Sequence, residues 1–364
     1  MNGPEAIELL RVRLPLRRPF RTSFGTQKVK DAIIVHALAP DSEGWGECAA
    51  MEHPLYSEEW NAGARAVLRD YLAPAALRGK PPDIAGHPMA RAALDSALLD
   101  LRLRREGRSL AAHLGGVRSR VDCGVSLGIE ESTDDLLAEA ATFLERGYLR
   151  VKLKIEPGRD VEPVRAVREA FPDAALSVDA NAAYGPEDAH RLAALDDLDL
   201  DYIEQPLPKD HLLAHADLGR QLRTRICLDE TITSAAVAAE AIRLGACGVI
   251  NIKIGRVGGI AEAVRIHDLA RAEDIPVWCG GMLETGVGRA ANVALASLPG
   301  FTLPGDTSGS DRYFARDVTE LFVVDADGTM RVPDAPGIGV DPIPEMLDEI
   351  RVDRDIIRRD SLAD

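Results

Sequence analysis

The sequence has 364 residues, of which 46% are hydrophobic and 28% charged, a composition typical of a globular protein with a substantial core. Its formal net charge of −16 argues against nucleic acid and anionic membrane surfaces as partners. The sequence contains no run of about 18 apolar residues, the length needed to span a membrane. Residues 1–16 also lack the unbroken apolar stretch of a signal peptide.

The cysteines indicate a reducing compartment. They are odd in number, far apart and without C-x-x-C spacing: Cys48, Cys123, Cys227, Cys247 and Cys279. We therefore predict reduced thiols in the core of a cytoplasmic protein.

The first third of the chain has the pattern of a mixed α+β unit. Predicted strands cover residues 5–16, 31–38 and 42–48, and predicted helices cover about 57–71 and 87–105. The first two strands are joined by a predicted loop that is rich in arginine and contains Gly25.

From about residue 121, short apolar runs alternate with amphipathic segments. The runs are VDCGVSL, YLRVKLKI, ALSVDAN, DYIEQPL, RICLDE, GVINIKI, IPVWCGG and FTLPGD, and the segments include 160–171, 186–195, 234–244 and 259–273. Strand–helix alternation predicts a parallel sheet with right-handed crossovers, and eight strands are the number that closes a barrel.

Charged residues end five consecutive runs at nearly constant spacing. They are Lys154, Asp179, Glu204, Asp229 and Lys253, each 24 or 25 residues after the one before. The carboxyl ends of the strands of a (β/α) barrel open on one face, where active sites lie. We therefore expect these five side chains around one rim.

After residue 314 the sequence predicts two short strands, ELFVVD and TMRVP, and a polar helix near 344–358. We expect this tail to pack against the first third of the chain. The predicted organisation is an N-terminal α+β domain (1–120), a barrel domain (121–314) and a C-terminal segment (315–364) that packs against the first domain.

Three converging carboxylates, Asp179, Glu204 and Asp229, would repel one another strongly in a partly dry site. A hard divalent cation would relieve this repulsion, and an oxygen-only ligand set suits Mg²⁺ better than Zn²⁺. The alternative is that each acid caps the following helix or pairs with a nearby lysine.

Lysines accompany these acids. Lys152 and Lys154 alternate with Leu153, so both point to one side of their strand, and Lys253 lies on a strand across the barrel. A desolvated lysine beside other cations has a lowered pKa and can act as a base, although Lys152 could instead only balance the acids. Lysine bases and Mg²⁺ together could remove a proton next to a carboxylate and hold the enolate.

Five short motifs resemble the muconate-lactonizing subgroup of the enolase superfamily: KLK at 152–154, DAN at 179–181, EQP at 204–206, LDE at 228–230 and NIK at 251–253. The resemblance covers nearly the whole chain. Further stretches resemble the o-succinylbenzoate synthase and N-succinylamino acid racemase family, at 44–59, 124–132, 278–290 and 303–313. The implied fold is a (β/α)7β modified TIM barrel with an α+β capping domain.

The resemblance also implies roles for particular residues. Asp179, Glu204 and Asp229 would bind Mg²⁺, and Lys154 and Lys253 would form an acid/base pair on opposite faces of a small carboxylate substrate. Lys152 would lower the pKa of Lys154. Supporting and pocket residues would be Asn181, Glu230, Ser126, Gly281, Met282 and, from capping loops near 20–25 and 51–56, Phe20, Met51 and Tyr56. Family members commonly form homo-oligomers.

The implied activity is o-succinylbenzoate synthesis for menaquinone, by dehydration of 2-succinyl-6-hydroxy-2,4-cyclohexadiene-1-carboxylate. In this reaction Lys154 could both remove and return a proton while Lys253 stabilises the enolate. The alternative is racemisation of N-succinylamino acids, which needs a base on each face. The resemblance implies that one site can perform both.

Other functions explain less of the sequence. A Schiff-base aldolase would use Lys253 as its nucleophile but would leave the three acids without a role. A non-catalytic binding barrel would not need all five rim residues. A dipeptide epimerase would be expected to show D-x-D on the eighth run, where this chain has Asp306-Thr307-Ser308.

Overall fold

The computed structural model describes residues 3–22, 25–81 and 84–362, and its N-terminal part is built on an antiparallel sheet. The strands are β1 (Ala6–Thr22), β2 (Gly25–Leu38) and β3 (Glu43–Cys48), followed by helices α1 (Asn61–Val67), α2 (Ala73–Leu77), α3 (Pro88–Glu106) and α4 (Leu110–Leu114). Helix α3 packs across the sheet, and its first turn is capped by the buried carboxylate of Glu59, which accepts from the amides of Met89 (2.7 Å) and Ala90 (2.9 Å).

Two N-terminal predictions need correction. The arginine-rich stretch is not a loop, because β1 and β2 stay paired out to Thr22 and Gly25 beyond an irregularity between Pro15 and Phe20. Backbone hydrogen bonds between β1 and β2 keep this segment extended, although its charged side chains are exposed. We call residues 15–22 and 25–29 the capping arm, and none of them is buried. The helix predicted from residue 57 starts only at Asn61, and a π-helical turn interrupts it at Leu68–Leu72.

The central part of the chain forms a parallel sheet of seven strands in sequence order. After β4 (Arg120–Asp122) come β5 (Gly124–Leu127), β6 (Arg150–Lys154), β7 (Leu176–Asp179), β8 (Ile203–Glu204), β9 (Ile226–Leu228), β10 (Val249–Ile252) and β11 (Val277–Cys279). The intervening helices are α5 (Thr133–Glu145), α6 (Val161–Ala170), α7 (Ala189–Ala193), α8 (Leu212–Gly219), α9 (Ala235–Leu244), α10 (Ile254–Val257), α11 (Ile260–Ala272) and α12 (Gly286–Ala296). Serine side chains cap α5 and α9, as their sequence positions favour.

The eighth apolar run closes the ring without forming an extended strand. It makes isolated parallel bridges on both sides, from Phe301 to Val277 and from Gly305 to Cys123. The amide of Asp306 donates to the carbonyl of Cys279 (2.9 Å), on the far edge of the sheet. The predicted (β/α)7β barrel with an α+β capping unit is confirmed.

The C-terminal tail returns to the N-terminal sheet. It contains α13 (Ser310–Tyr313), β12 (Thr329–Arg331), α14 (Pro344–Ile350) and β13 (Arg351–Arg358). The predicted strand ELFVVD does not form, and the predicted helix 344–358 ends at Ile350, because the following residues pair antiparallel with the free edge of β1. The proposed domain boundaries at 120 and 314 stay predictions.

Each half has its own apolar core. The barrel core lies between its strands and helices, whereas a second cluster, which includes Ile7, Leu9 and Ile33, lies between the N-terminal sheet and its helices. All five cysteines are buried and unpaired, as predicted. Within the part of the chain that the structure describes, no helix has both the length and the apolarity to cross a bilayer.

Candidate active site

The five predicted rim residues lie together at the carboxyl ends of neighbouring strands. Lys154, Asp179 and Glu204 are the last residues of β6, β7 and β8, and in the sheet register each is paired with the next. Asp229 and Lys253 follow β9 and β10 directly. We call these five residues and Lys152 the rim network.

Within the rim network every carboxylate is paired with a cation. Lys154 Nζ lies 2.6 Å from Asp179 Oδ2, Lys152 Nζ lies 2.5 Å from Glu204 Oε2, and Lys253 Nζ lies 2.7 Å from Asp229 Oδ2. These positions match the alternative to metal binding given above, in which each acid pairs with a nearby lysine.

The donor chemistry of the three acids fits a hard divalent cation, although their side chains do not converge on one point. Among the described residues, no three His, Cys, Asp or Glu side chains are grouped to hold a metal. However, the Lys152 amine contacts both Asp179 (3.5 Å) and Glu204 (2.5 Å), so two of the acids can share one cation. Asp229 faces Lys253 and Arg256 instead, and these contacts would have to open for all three acids to bind one ion.

Lys253 is buried among acidic side chains. Burial favours the neutral amine, but Tyr56 and the carboxylates of Glu230 and Glu204 outweigh it and raise its pKa. Burial likewise opposes the charged form of Lys152, and the nearby acids, Asp306 first among them, raise its pKa. Carboxylates therefore surround both amines and favour their charged forms.

Asn181 and Glu230, which the family resemblance implies as supporting residues, contact the rim network and each other. Lys154 Nζ donates to Asn181 Oδ1 (2.5 Å), and Asn181 Nδ2 donates to Glu230 Oε1 (3.0 Å). Asn181 has a positive φ of 42°, a conformation that asparagine tolerates better than most residues. The backbone amide of Asn181 also donates to Asp179 Oδ1 (2.9 Å), which fixes the Asp179 side chain relative to the backbone of Asn181.

Two charged residues beneath the rim were missed. Asp306 bridges two cations, since Arg150 Nη2 donates to its Oδ1 (2.7 Å) and Lys152 Nζ donates to its Oδ2 (2.8 Å). Although burial opposes it, these two cations lower the pKa of Asp306. The ring of Trp278 lies 4.4 Å from Lys152 Nζ. Arg150 could have been found, because it continues the alternation of Lys152 and Lys154 along β6.

The loop between β3 and α1 contributes Tyr56 directly to the rim. Its hydroxyl donates to Asp229 Oδ1 (3.0 Å) and accepts from Lys253 Nζ (3.3 Å). Arg256, which the sequence did not single out, bonds to the same carboxylate and to the carbonyl of Asn251. Asn251 Nδ2 donates to Glu204 Oε1 (2.8 Å), so the asparagine of the NIK motif orients a proposed ligand.

A cavity of about 380 Å³ lies between the rim and the capping arm. All six predicted pocket residues line it: Ser126, Gly281, Met282, Phe20, Met51 and Tyr56. The Ser126 hydroxyl is buried and has no hydrogen-bond partner among the described residues. Of the predicted capping loop at 20–25, Ser23 and Phe24 lie outside the described residues.

Buried polar groups join the N-terminal sheet to the loop that follows β11. Lys30 Nζ donates to the carbonyl of Met282 (2.9 Å), and Glu47 accepts from the amide of Thr285 (3.2 Å), its hydroxyl (2.6 Å) and the amide of Gly288 (3.0 Å). Burial raises the pKa of Glu47 to about 7, against the attraction of Lys30. This carboxyl therefore anchors one wall of the cavity.

Comparison with known proteins places this architecture in a family. A family profile described as "Enolase C-terminal domain-like" matches residues 135–346. The chain is 56% identical to an N-succinylamino acid racemase of Amycolatopsis sp over 94% of this chain and 96% of that protein. It is 47% identical to an o-succinylbenzoate synthase of Geobacillus kaustophilus over 93% of each chain.

A solved structure agrees with this assignment. An enolase superfamily member from Listeria innocua superposes with a TM-score of 0.93 at 38% identity, over 98% of this chain and 99% of that chain. Both the sequence relatives and the shared fold extend over the capping sheet as well as the barrel. The chain therefore belongs to the enolase superfamily.

Proposed function

We propose that this protein is a magnesium-dependent enzyme that removes a proton from the carbon next to a carboxylate. The observation that carries the proposal is the placement of two lysines. The amines of Lys154 and Lys253 come from strands four places apart around the barrel and line one cavity. The three acids end the strands between them.

Asp179, Glu204 and Asp229 would hold the metal. All three are buried carboxylates, and oxygen donors of this kind suit Mg²⁺. The bound ion would supply Lewis-acid stabilisation of the substrate carboxylate as negative charge develops. Lys152 and Arg256 would then balance the remaining negative charge of the rim.

The lysines would carry the proton. One amine would accept the α-proton and the other would face the opposite side of the same carbon, because the two project from opposite sides of the barrel. Asn181 would orient Lys154 through its 2.5 Å contact, and Tyr56 would orient Lys253. The capping residues Phe20 and Met51 would exclude water from the developing enolate.

The substrate class follows from the relatives. We propose that the site dehydrates 2-succinyl-6-hydroxy-2,4-cyclohexadiene-1-carboxylate to o-succinylbenzoate, which needs one lysine base and one cationic lysine. Racemisation of N-succinylamino acids is the second candidate. The presence of a lysine on each side supports it, as does the 56% identity to a protein named for that activity.

Proton exchange tests the proposal. Purified protein with Mg²⁺ should exchange the α-proton of N-succinylamino acids with D2O, as followed by NMR, and should convert the cyclohexadiene carboxylate to o-succinylbenzoate. Lys154→Ala and Lys253→Ala should each abolish turnover of both substrates, whereas Lys80→Ala, at an exposed site away from the cavity, should not. Absence of exchange and dehydration in the unaltered protein would overturn the proposal.

We further propose that residues 1–120 and 315–364 act as one capping unit over a barrel at 121–314, which the pairing of β13 with β1 supports. The buried free thiols support a cytoplasmic location. A homo-oligomer remains the expectation from the family resemblance, and light scattering of the purified protein would measure it.

A further inference from the structure

The cations that line the cavity are not all neutralised. Most of its lysines and arginines have a carboxylate within 4.0 Å: Arg13, Lys30, Lys152, Lys154 and Lys253. Among the described residues, Lys28 and Arg289 line the cavity without such a partner. A cation without a counter-ion beside a cavity is a candidate for binding an anionic part of a ligand.

Arg289 is already committed to the fold. It is only 2% exposed, and its two Nη groups donate to the carbonyls of Ser308 and Glu284. Its guanidinium also lies over the ring of Tyr313, 5.5 Å from the ring centre. These contacts tie together the loops that follow β11 and the eighth run, and they leave only the buried Nε of Arg289 without a hydrogen-bond partner among the described residues.

Lys28 is placed differently. It lies on β2, two residues before Lys30, so both side chains project from the same face of the strand. The buried Lys30 amine donates to the Met282 carbonyl at the cavity wall, whereas Lys28 lines the same cavity from an exposed position. Lys28 is exposed, and among the described residues its amine makes no hydrogen bond or ion pair.

We propose that Lys28 binds the distal carboxylate of a succinyl tail, which both candidate substrates carry. This inference rests on the proposed function, since it assigns the α-carboxylate to the rim and the tail to the capping arm. A chain with a net charge of −16 repels a substrate that carries two carboxylates, so a cation at the cavity would favour binding of the charged succinyl tail. Lys28 would not strengthen the binding of acyl groups that end in a methyl, such as acetyl.

The test compares Lys28→Met with Lys80→Met, a second exposed lysine of the N-terminal unit that does not line the cavity. We expect Lys28→Met to lower kcat/KM for an N-succinylamino acid about three- to tenfold, mainly through KM, as for a partly exposed charge-assisted hydrogen bond. For the matching N-acetylamino acid the value should not change. Lys80→Met should affect neither substrate.

Affinity provides a readout that does not need turnover. Calorimetry with N-succinylglycine should show a weaker Kd for Lys28→Met and a still weaker one for Lys28→Glu. If Lys28→Met weakens the binding of succinyl and acetyl ligands equally, or weakens neither, the proposed role of Lys28 is overturned. If the unaltered protein binds N-succinylglycine through Lys28 but exchanges no α-proton, the proposed function fails and the tail subsite stands.

Discussion

The rim network and the capping arm enclose the same cavity but are built in opposite ways. The rim residues Lys152, Glu204 and Asp229 are at most 2% exposed, and each contacts an oppositely charged partner. No residue of the capping arm is buried, and its backbone is held mainly by its own ladder. The rim can therefore hold reacting groups in fixed positions, whereas the arm can change its side chains with little effect on folding.

This difference predicts that substitutions at the rim change the reaction and substitutions in the arm change the choice of substrate. The largest effect is expected at the lysine bases. Lys154→Ala or Lys253→Ala should lower kcat for racemisation by about 10³-fold or more, because each removes the proposed base on one face of the α-carbon. Steady-state polarimetry measures this, and unchanged circular dichroism would show that the fold persists.

Metal removal should have a comparable effect. We expect EDTA to abolish activity and Mg²⁺ to restore it, because the ion would stabilise the charge that develops on the carboxylate. The same treatment would leave a Schiff-base aldolase active. Full activity after exhaustive chelation would contradict the role assigned to Asp179, Glu204 and Asp229.

A substitution of Asp306 tests whether the stability of the protein depends on its ion pairs with Arg150 and Lys152 beneath the rim. Asp306→Asn should lower the free energy of unfolding by about 3 kcal/mol, because it leaves two buried cations, Arg150 and Lys152, without their shared counter-ion. Urea titration measures the change. Asp311→Asn is the matched control, since Asp311 pairs with the more exposed Arg146 and should cost less than about 1 kcal/mol.

The raised pKa of Glu47 predicts a pH dependence of stability where the N-terminal sheet meets the loop that follows β11. Because its pKa is raised to about 7, its stabilising contribution is complete below its ordinary pKa and is lost as the pH rises through 7. Relative to Glu47→Gln, the protein should lose about 3 kcal/mol of unfolding free energy between pH 4.5 and 8. Urea titrations of both proteins across this range test it, and parallel pH profiles would show that Glu47 does not titrate in this way.

The smallest effects are expected at the pocket wall. Met51→Ala should raise KM for a succinyl substrate about two- to tenfold and leave kcat within about twofold, because it removes binding surface and no reacting group. Steady-state kinetics separate the two constants. A loss of kcat as large as at Lys154 would remove the distinction between rim and cap.

The rim could be predicted from the sequence because its signal is periodic. Parallel strands bring their carboxyl ends to one edge, so charged residues 24 or 25 positions apart had to meet there. The partners of those residues were harder to predict. Asp306 reaches Lys152 only because the eighth run closes the ring, and Arg256 reaches Asp229 from a short helix that the strand pattern does not reveal.

Two errors in the fold arose from strand pairing. Residues 351–358 form a strand because β1 offers an unpaired edge, which no local pattern in RVDRDIIR indicates. In the same way, the capping arm is paired although its arginines suggested a loop. Strand pairing decided both cases, with a distant segment at residues 351–358 and with the neighbouring strand in the capping arm, and a single sequence carries little information about either.

Enantiomer-specific proton exchange tests the central claim most directly. In D2O with Mg²⁺, Lys154→Ala and Lys253→Ala should each retain exchange of the α-proton of only one enantiomer of an N-succinylamino acid, and the two variants should retain opposite enantiomers. Such a result would place the two amines on opposite faces of one carbon. If both variants exchange the same enantiomer, or either still exchanges both, the lysines do not form the pair described here.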